Sequence, residues 1–222
     1  MKRCLAFRCR AFFAAGWLPL LPLALGLLLG LEAAGALNAL LRRTGAADAR
    51  TALALAADVR HLFPLAGAAW SAAYFGRELD GGAGKLLRSR GFGSSAVYAS
   101  AYFPFLAGAL AISLTEQAVV LQAVPGRETL GAALLLRSAG LRLPLDLGML
   151  TLPGFLPFLG KGSPYARFSG FLYGFALWRL MGSHAALWLP GLGPPDPWAF
   201  WPLAALPAGI LGYFALTLNR SE

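Results

Sequence analysis

Apolar runs long enough to cross a bilayer recur along the sequence and predict an all-α, polytopic membrane protein of about six transmembrane helices. A helix needs about 20 predominantly apolar residues to cross the hydrocarbon core. The second run is short unless it begins near Leu55, and the third is long enough to be tilted or broken, so five and seven helices stay open as alternatives. The predicted spans are Ala11–Leu31, Leu62–Gly76, Phe92–Leu121, Leu143–Gly160, Phe168–Trp188 and Trp198–Leu218.

Residues 32–61, between the first two spans, combine an Ala/Leu pattern with spaced arginines. This pattern predicts a helix with one apolar face, which we expect to lie on the outer membrane surface. Asp48 or Thr51 is expected to cap a helical turn there, because both side chains accept hydrogen bonds from free backbone N–H groups. No internal repeat or soluble domain stands out, so residues 1–222 are predicted to form a single transmembrane domain.

Composition and charge support this class of protein and orient it. Apolar residues make up 58% of the chain and charged residues 13%, with a net charge of +9. An ordinary soluble protein has about 25% charged residues. With the N-terminus inside, Lys and Arg are more numerous on the cytoplasmic side, as the positive-inside rule requires. We therefore predict an N-in/C-in topology with residues 1–10 as a basic cytoplasmic N-terminus, and no nucleic-acid partner.

The first span has one competing interpretation. Met1–Arg10 resembles the basic region of a signal peptide, Leu18–Leu31 its apolar region, and Ala34-Gly35-Ala36 has the small residues of a cleavage site. The full apolar stretch from Ala11 is long for a signal peptide, which favours a retained membrane anchor.

Three charged residues are predicted to lie at membrane depth: Glu116 in the third span, Asp146 in the fourth and Arg179 in the fifth. A charge at the bilayer centre costs about 2.5–3.5 kcal/mol on insertion scales, so such residues face the bundle interior. We expect Arg179 to pair with Glu116 or Asp146. Two roles stay open, one in fixing helix packing and one in lining a substrate path.

The sequence offers no self-contained catalytic chemistry. Gly81-Gly82-Ala83-Gly84-Lys85 is similar to a phosphate-binding loop, but Leu86 follows where Ser or Thr would bind Mg²⁺. The two histidines, His61 and His184, are far apart in the sequence, which disfavours a membrane metalloenzyme. We therefore expect no enzyme activity in this chain, no cofactor and no metal site.

The loop at residues 77–91 joins the second and third spans on the cytoplasmic side. It runs from a charged Arg77-Glu78 through glycines that permit a sharp turn into a short basic, amphipathic piece. Leu86 and Leu87 are expected to pack on a partner while the cations Lys85, Arg88 and Arg90 stay in water. Such a loop can transmit force from a soluble protein to the helices on either side.

This loop resembles that of the permease subunits of ABC-2-type transporters. In that family the second span runs into a Glu, followed by Gly-Thr four and five residues later, a Leu-rich short helix and a Pro-x-Ser-Arg end. Here Glu78 and Gly82 keep the spacing, Ala83 replaces Thr, Leu86-Leu87 matches the Leu-rich part, and Arg90–Ser94 departs from the final motif. The six spans and inside termini fit the family plan. The ten residues before the first span are shorter than the family's usual cytoplasmic interface helix.

The resemblance implies an ATP-driven transporter of the bacterial-type cytoplasmic (inner) membrane. A separate cytoplasmic ATPase subunit would hydrolyse ATP, and the permease would act as a homodimer or with a second permease within the lipid membrane. An alternative is a non-transporting scaffold or assembly subunit whose loop only docks a partner. In either case the expected coupling or partner-binding residues are Arg77, Glu78, Gly82, Lys85, Leu86 and Arg88.

Overall fold

The computed structural model describes residues 2–45, 48–56, 62–63, 66–67, 69–71, 73–74 and 83–151. Within these ranges every regular element is helical and no strand occurs, which confirms the all-α prediction for this part of the chain. The described residues between 63 and 74 are helical too. The helices are α1 (Lys2–Phe13), α2 (Leu20–Thr44), α3 (Ala49–Leu55), α4 (Ala83–Ser89), α5 (Ser94–Gln122), a 3₁₀ helix (Arg127–Thr129) and α6 (Ala132–Thr151).

Two of these helices are long and apolar enough to cross a membrane: α2, and residues Ser100–Gln122 of α5. Less than half of each is buried inside the protein. On α2, the leucines at positions 20, 23, 27 and 31 share one face and are each between 47% and 64% exposed. An apolar face of this size suits contact with lipid.

The first predicted span differs from the structure at both ends. The chain leaves the helical conformation after Phe13, turns at Gly16 with a φ of +64°, and begins α2 only at Leu20. The helix then continues through Glu32 to Thr44 and ends at Gly45, whose φ of +66° is the left-handed conformation that terminates many helices. Residues 32–44 therefore extend α2, because a single Glu does not interrupt an Ala/Leu-rich helix.

The helix predicted as the fourth span, α6, also begins earlier than its apolar run indicates. The prediction starts it at Leu143, whereas it starts at Ala132, because Arg137 and Arg142 lower the local hydropathy without breaking a helix. Asp146 consequently lies well inside α6 rather than near its first turn.

Contacts with α5 define the directions of its neighbours. A Cβ atom on Gly26 would lie 2.7 Å from the Ile112 carbonyl oxygen, and one on Gly30 would lie 2.5 Å from the Val119 Cβ. Residue numbers in α2 and α5 therefore increase in the same direction along the contact, so the two helices run parallel. Their backbones lie close together at both glycines.

The other two neighbours of α5 run antiparallel to it. Tyr74 donates to Ala101 whereas the earlier Trp70 donates to Phe105, so the segment 62–74 runs opposite to α5. In α6, Asp146 contacts Ser113, while the earlier residues 134–135 pack against the apolar cluster that contains Val120 and Val124. This alternation is the one that consecutive membrane spans require.

The bundle has two chemically different ends. We call the end formed by α1 and α4 the basic end, since these helices contain Lys2, Arg3, Arg8, Arg10, Lys85 and Arg88 and no acidic residue. At the distal end, Ala52 and Leu53 of α3 belong to one buried apolar cluster with Leu37 of α2 and Val120 of α5.

The predicted cap by Asp48 is confirmed. Its Oδ2 atom accepts hydrogen bonds from the Thr51 backbone N–H at 2.8 Å and from the Thr51 hydroxyl at 2.7 Å. This places Asp48 at the N-cap of α3, whose first backbone N–H groups have no partner within the helix. The same two bonds lower the pKa of the Asp48 carboxyl from its ordinary value.

We expect the cap to fail at acidic pH. Because the folded-state pKa lies below the unfolded-state value, the ionised cap stabilises α3 above the unfolded-state pKa, and this contribution is lost as pH falls through the folded-state pKa. The hydrogen-exchange protection of the Thr51 amide should fall in that window. In Asp48→Asn, which has no titratable carboxyl, the protection of the Thr51 amide should not change over this pH range. If both proteins lose protection at the same pH, the Asp48 carboxylate is not the cap.

Candidate functional site

A buried polar network joins α5 to α6 in the middle of the bundle. The Ser113 hydroxyl donates to Oδ2 of Asp146 at 2.6 Å, and the Gln117 amide nitrogen donates to the same oxygen at 3.0 Å. Gln117 also donates to the Ser113 oxygen at 3.0 Å. Ser113 and Asp146 are fully buried. The Asp146 carboxylate is thus held by two donors from the facing helix.

Both predicted acidic residues at membrane depth within the described chain are buried. Glu116 is 2% exposed and lies on α5 between Ser113 and Gln117, while Asp146 is 0% exposed. Arg179 lies outside the described residues, so its pairing with either acid stays a prediction.

Sequence reasoning missed Ser113 and Gln117. Residues 113, 116 and 117 are three and four positions apart, so they lie on one face of a helix. That spacing was a usable signal for a polar face within an apolar run. The partner of that face on α6 follows only from the packing of the two helices.

The network makes the α5–α6 contact sensitive to any shift of one helix relative to the other. Two side chains of α5, Ser113 and Gln117, donate to one carboxylate oxygen of Asp146, and hydrogen bonds weaken steeply once distance or angle departs from the preferred range. A shift of α5 relative to α6 would therefore break both bonds to Asp146 together. Buried polar groups without partners are costly, so such a contact favours discrete arrangements over gradual sliding.

A second feature of α5 is Pro104, near the basic end of its candidate span. Proline has no N–H to donate to residue 100, and its ring crowds that carbonyl group. On either side of it, side chains from segment 62–74 donate to backbone carbonyls of α5. Tyr74 reaches Ala101 at 2.6 Å and Trp70 reaches Phe105 at 3.0 Å. We call Pro104, Trp70 and Tyr74 the proline clamp.

The clamp is tightly packed. The Trp70 indole is fully buried and stacks on the Phe105 ring with centroids 6.0 Å apart and planes 5° apart. A Cβ on Gly108 would clash with Cζ2 of the Trp70 indole. Because residue 108 is glycine, the Trp70 indole can pack directly against the surface of α5.

The described part of the predicted coupling loop is α4 and the turn that follows it. Leu87 is 2% exposed and packs with Cys4 of α1 and Val97 of α5. Leu86 is 44% exposed, Lys85 is exposed and Arg88 is half-buried. The expectation that Leu87 packs on a partner is wrong, because its side chain anchors α4 to the protein body. Leu86 and Lys85 form the outward face.

Helix α1 supports α4 from the other side. Arg8 is 3% exposed, and its Nη2 atom lies 4.0 Å from the position that a Cβ on Gly84 would occupy. Burial lowers the pKa of the Arg8 guanidinium from its ordinary value. Arg77, Glu78 and Gly82, the other predicted coupling residues, lie outside the described residues.

Comparison of the chain with protein-family models, curated proteins and solved structures finds no match. Among the residues that the structure describes, no group of three or more His, Cys, Asp or Glu side chains is placed to hold a metal ion.

Proposed function

We propose that this chain is the membrane-spanning permease subunit of an ATP-driven, ABC-2-type transporter. It crosses the bacterial-type cytoplasmic membrane six times with both termini inside, and a separate cytoplasmic ATPase subunit hydrolyses ATP. It works as a homodimer or with a second permease.

The observation that carries the proposal is the two-sided character of α4. Its inner side is fixed by Leu87, and its outer side presents an exposed leucine, Leu86, beside the exposed cation Lys85. Protein interfaces combine an apolar buried centre with a polar rim, and Leu86 with Lys85 beside it can supply one of each. The connection between α4 and α5 is short and runs from Arg90 to Gly93, with Arg90 and Gly91 exposed. Force applied to α4 would therefore reach a candidate span directly.

The charge distribution supports a cytoplasmic position for α4. The basic end carries the cations of α1 and α4 without an acidic residue in either helix. The distal end carries arginines 42, 43, 50 and 127. The six Lys and Arg residues of α1 and α4 outnumber these four, so the positive-inside rule favours a cytoplasmic position for the basic end, where ATP is available.

A path of contacts leads from α4 to the centre of the bundle. Leu87 contacts Val97 at the start of α5, the proline clamp follows one to two turns later, and the Ser113–Asp146 contact follows beyond it. Proline in a helix is a common site of bending. In this mechanism ATP-driven closure of the ATPase subunits moves α4, α5 bends at Pro104, and the polar network switches between two arrangements.

The helix that precedes the first candidate span supports the proposal at one point where the sequence departs from the family pattern. The first candidate span begins at Leu20 rather than Ala11, and the residues before it include the separate twelve-residue helix α1. In this proposal α1 corresponds to the cytoplasmic interface helix that precedes the first span in the family.

Replacing Lys85 with glutamate is expected to abolish co-purification of an ATPase with the chain. The substitution reverses the charge on the outward face of α4. An ATPase surface that pairs with Lys85 is acidic, and it would repel the glutamate. The matched control is Arg43→Glu, which changes another exposed cation, at the distal end. The measurement is affinity purification from membranes followed by an ATPase assay. Retention of the ATPase by Lys85→Glu, or its loss in Arg43→Glu, would contradict the proposed surface.

Glu78→Ala and a substitution at Gly82 distinguish transport from simple docking. In a permease, these variants should retain the ATPase while its stimulation by the permease falls. If the partner that binds α4 contains no ATP site, the chain is instead a non-transporting scaffold or assembly subunit.

A further inference from the structure

Helix α1 is docked onto the protein body through one side. Cys4, Arg8 and Phe12 are spaced four residues apart, so they lie on the same face of the helix. Cys4 and Arg8 are buried, and Cys4 packs with Leu87 of α4. The centroid of the Phe12 ring lies 6.3 Å from that of the Trp70 indole. Because contacts at both ends of this face hold α1, its rotation about its own axis is fixed.

The opposite side of α1 carries two exposed cations. Arg3 and Arg10 are seven residues apart, which is about two helical turns, and both are exposed, as is Ala6 between them. Helix α1 contains no acidic residue, so no side chain of the helix itself offsets these two charges. This side of α1 therefore presents a positive surface to the surroundings of the basic end.

The chain that follows this positive surface is first aromatic and then aliphatic. Phe13 and Trp17 are 70% and 60% exposed, and the exposed leucines at positions 20, 23, 27 and 31 of α2 come next. Cations, exposed aromatic rings and an exposed aliphatic face succeed one another in the order of the head groups, the interface and the hydrocarbon of one bilayer leaflet. An acidic protein would complement the arginines but would not account for exposed rings that lead into a candidate span.

We propose that α1 binds the head groups of anionic phospholipids through Arg3 and Arg10. Phe13 and Trp17 then lie at the membrane interface, and the acyl chains lie along the exposed leucines of α2. Guanidinium groups bind phosphate oxygens through paired hydrogen bonds. A zwitterionic head group also presents a phosphate, but its cation finds no acidic partner in α1, so anionic lipids are preferred. This inference rests on the membrane location proposed above and not on ATP-driven transport.

The test uses the full-length chain reconstituted in phosphatidylcholine vesicles, with a fluorophore attached to Ala6→Cys, between the two arginines. Cys9 is replaced by serine, and the buried Cys4 is kept. Phosphatidylglycerol and phosphatidylcholine, each with a nitroxide near the head group as a short-range quencher, are compared. Phosphatidylglycerol should reach half-maximal quenching at a concentration about fivefold lower, the ratio that corresponds to about 1 kcal/mol for a cation near an anionic surface.

Arg3→Gln combined with Arg10→Gln should make the two lipids quench equally, because glutamine keeps a similar helix propensity but carries no charge. The matched control is Lys85→Gln combined with Arg90→Gln, which removes two exposed cations from α4 and the turn after it and should retain the preference. A preference that persists in the α1 variant, or an equal loss in both variants, would overturn the proposal. Since no ATPase is present, these results are independent of whether the chain is a permease.

Discussion

Substituting leucine for Gly26 is expected to force α2 away from α5. A Cβ at this position would lie 2.7 Å from the carbonyl oxygen of Ile112 and 2.8 Å from Cβ of Thr115, and backbone atoms cannot rotate away as a flexible side chain can. Overpacking a close contact costs about 1–3 kcal/mol, and a leucine placed against backbone should reach at least the upper value. Thermal unfolding in detergent micelles measures the loss.

Gly35→Leu is the matched control, because Gly35 lies in the same helix and, among the described residues, no atom beyond its chain neighbours and its own helix backbone lies within 4 Å of its Cβ position. Leucine is a better helix former than glycine, so stability there should stay equal or rise by up to about 1 kcal/mol. If the two variants unfold at the same temperature, the close parallel contact between α2 and α5 is wrong.

Asp146→Leu is expected to destabilise the α5–α6 contact by about 2–4 kcal/mol, since the buried Ser113 hydroxyl and Gln117 amide would lose their shared acceptor. Asp146→Asn retains an acceptor oxygen and should cost less, about 1 kcal/mol. Unfolding of the two variants in the same detergent provides the comparison.

A double-mutant cycle isolates the hydrogen bond from other effects of removing a charge. Ser113→Ala combined with Asp146→Asn should lose less stability than the sum of the single changes, with a coupling energy of about 0.5–2 kcal/mol. Strict additivity, or an Asp146→Leu protein as stable as the unsubstituted chain, would show that the network does not hold the two helices together.

Local sequence signals predicted several features well. The apolar runs indicated helices throughout, and the Asp48 cap was predictable because it depends on residues three positions apart. The break between α1 and α2 was harder, since the residues around Gly16 and Trp17 continue the apolar run that begins at Ala11 and extends into α2. A hydropathy profile reports how long an apolar run is, but a turn made of apolar residues leaves the run unbroken.

The candidate site depended on contacts that no local pattern encodes. Glu116 and Asp146 could be predicted as buried because an unpaired charge is costly in hydrocarbon. That Ser113 and Gln117 meet Asp146 depends on the register between two helices. Similarly, Leu86 and Leu87 are equivalent in the sequence, and only the position of Cys4 and Val97 decides which of them is buried.

The central claim, that α4 faces the cytoplasm where an ATPase can act on it, is tested most directly by cysteine accessibility. Lys85→Cys and Arg43→Cys are introduced into a chain with Cys9 replaced by serine, while the fully buried Cys4 is kept. In intact cells, a membrane-impermeant thiol reagent should label position 43 and not position 85, and permeabilisation should expose both. Labelling of position 85 in intact cells would place α4 outside, beyond the reach of any ATP-hydrolysing partner.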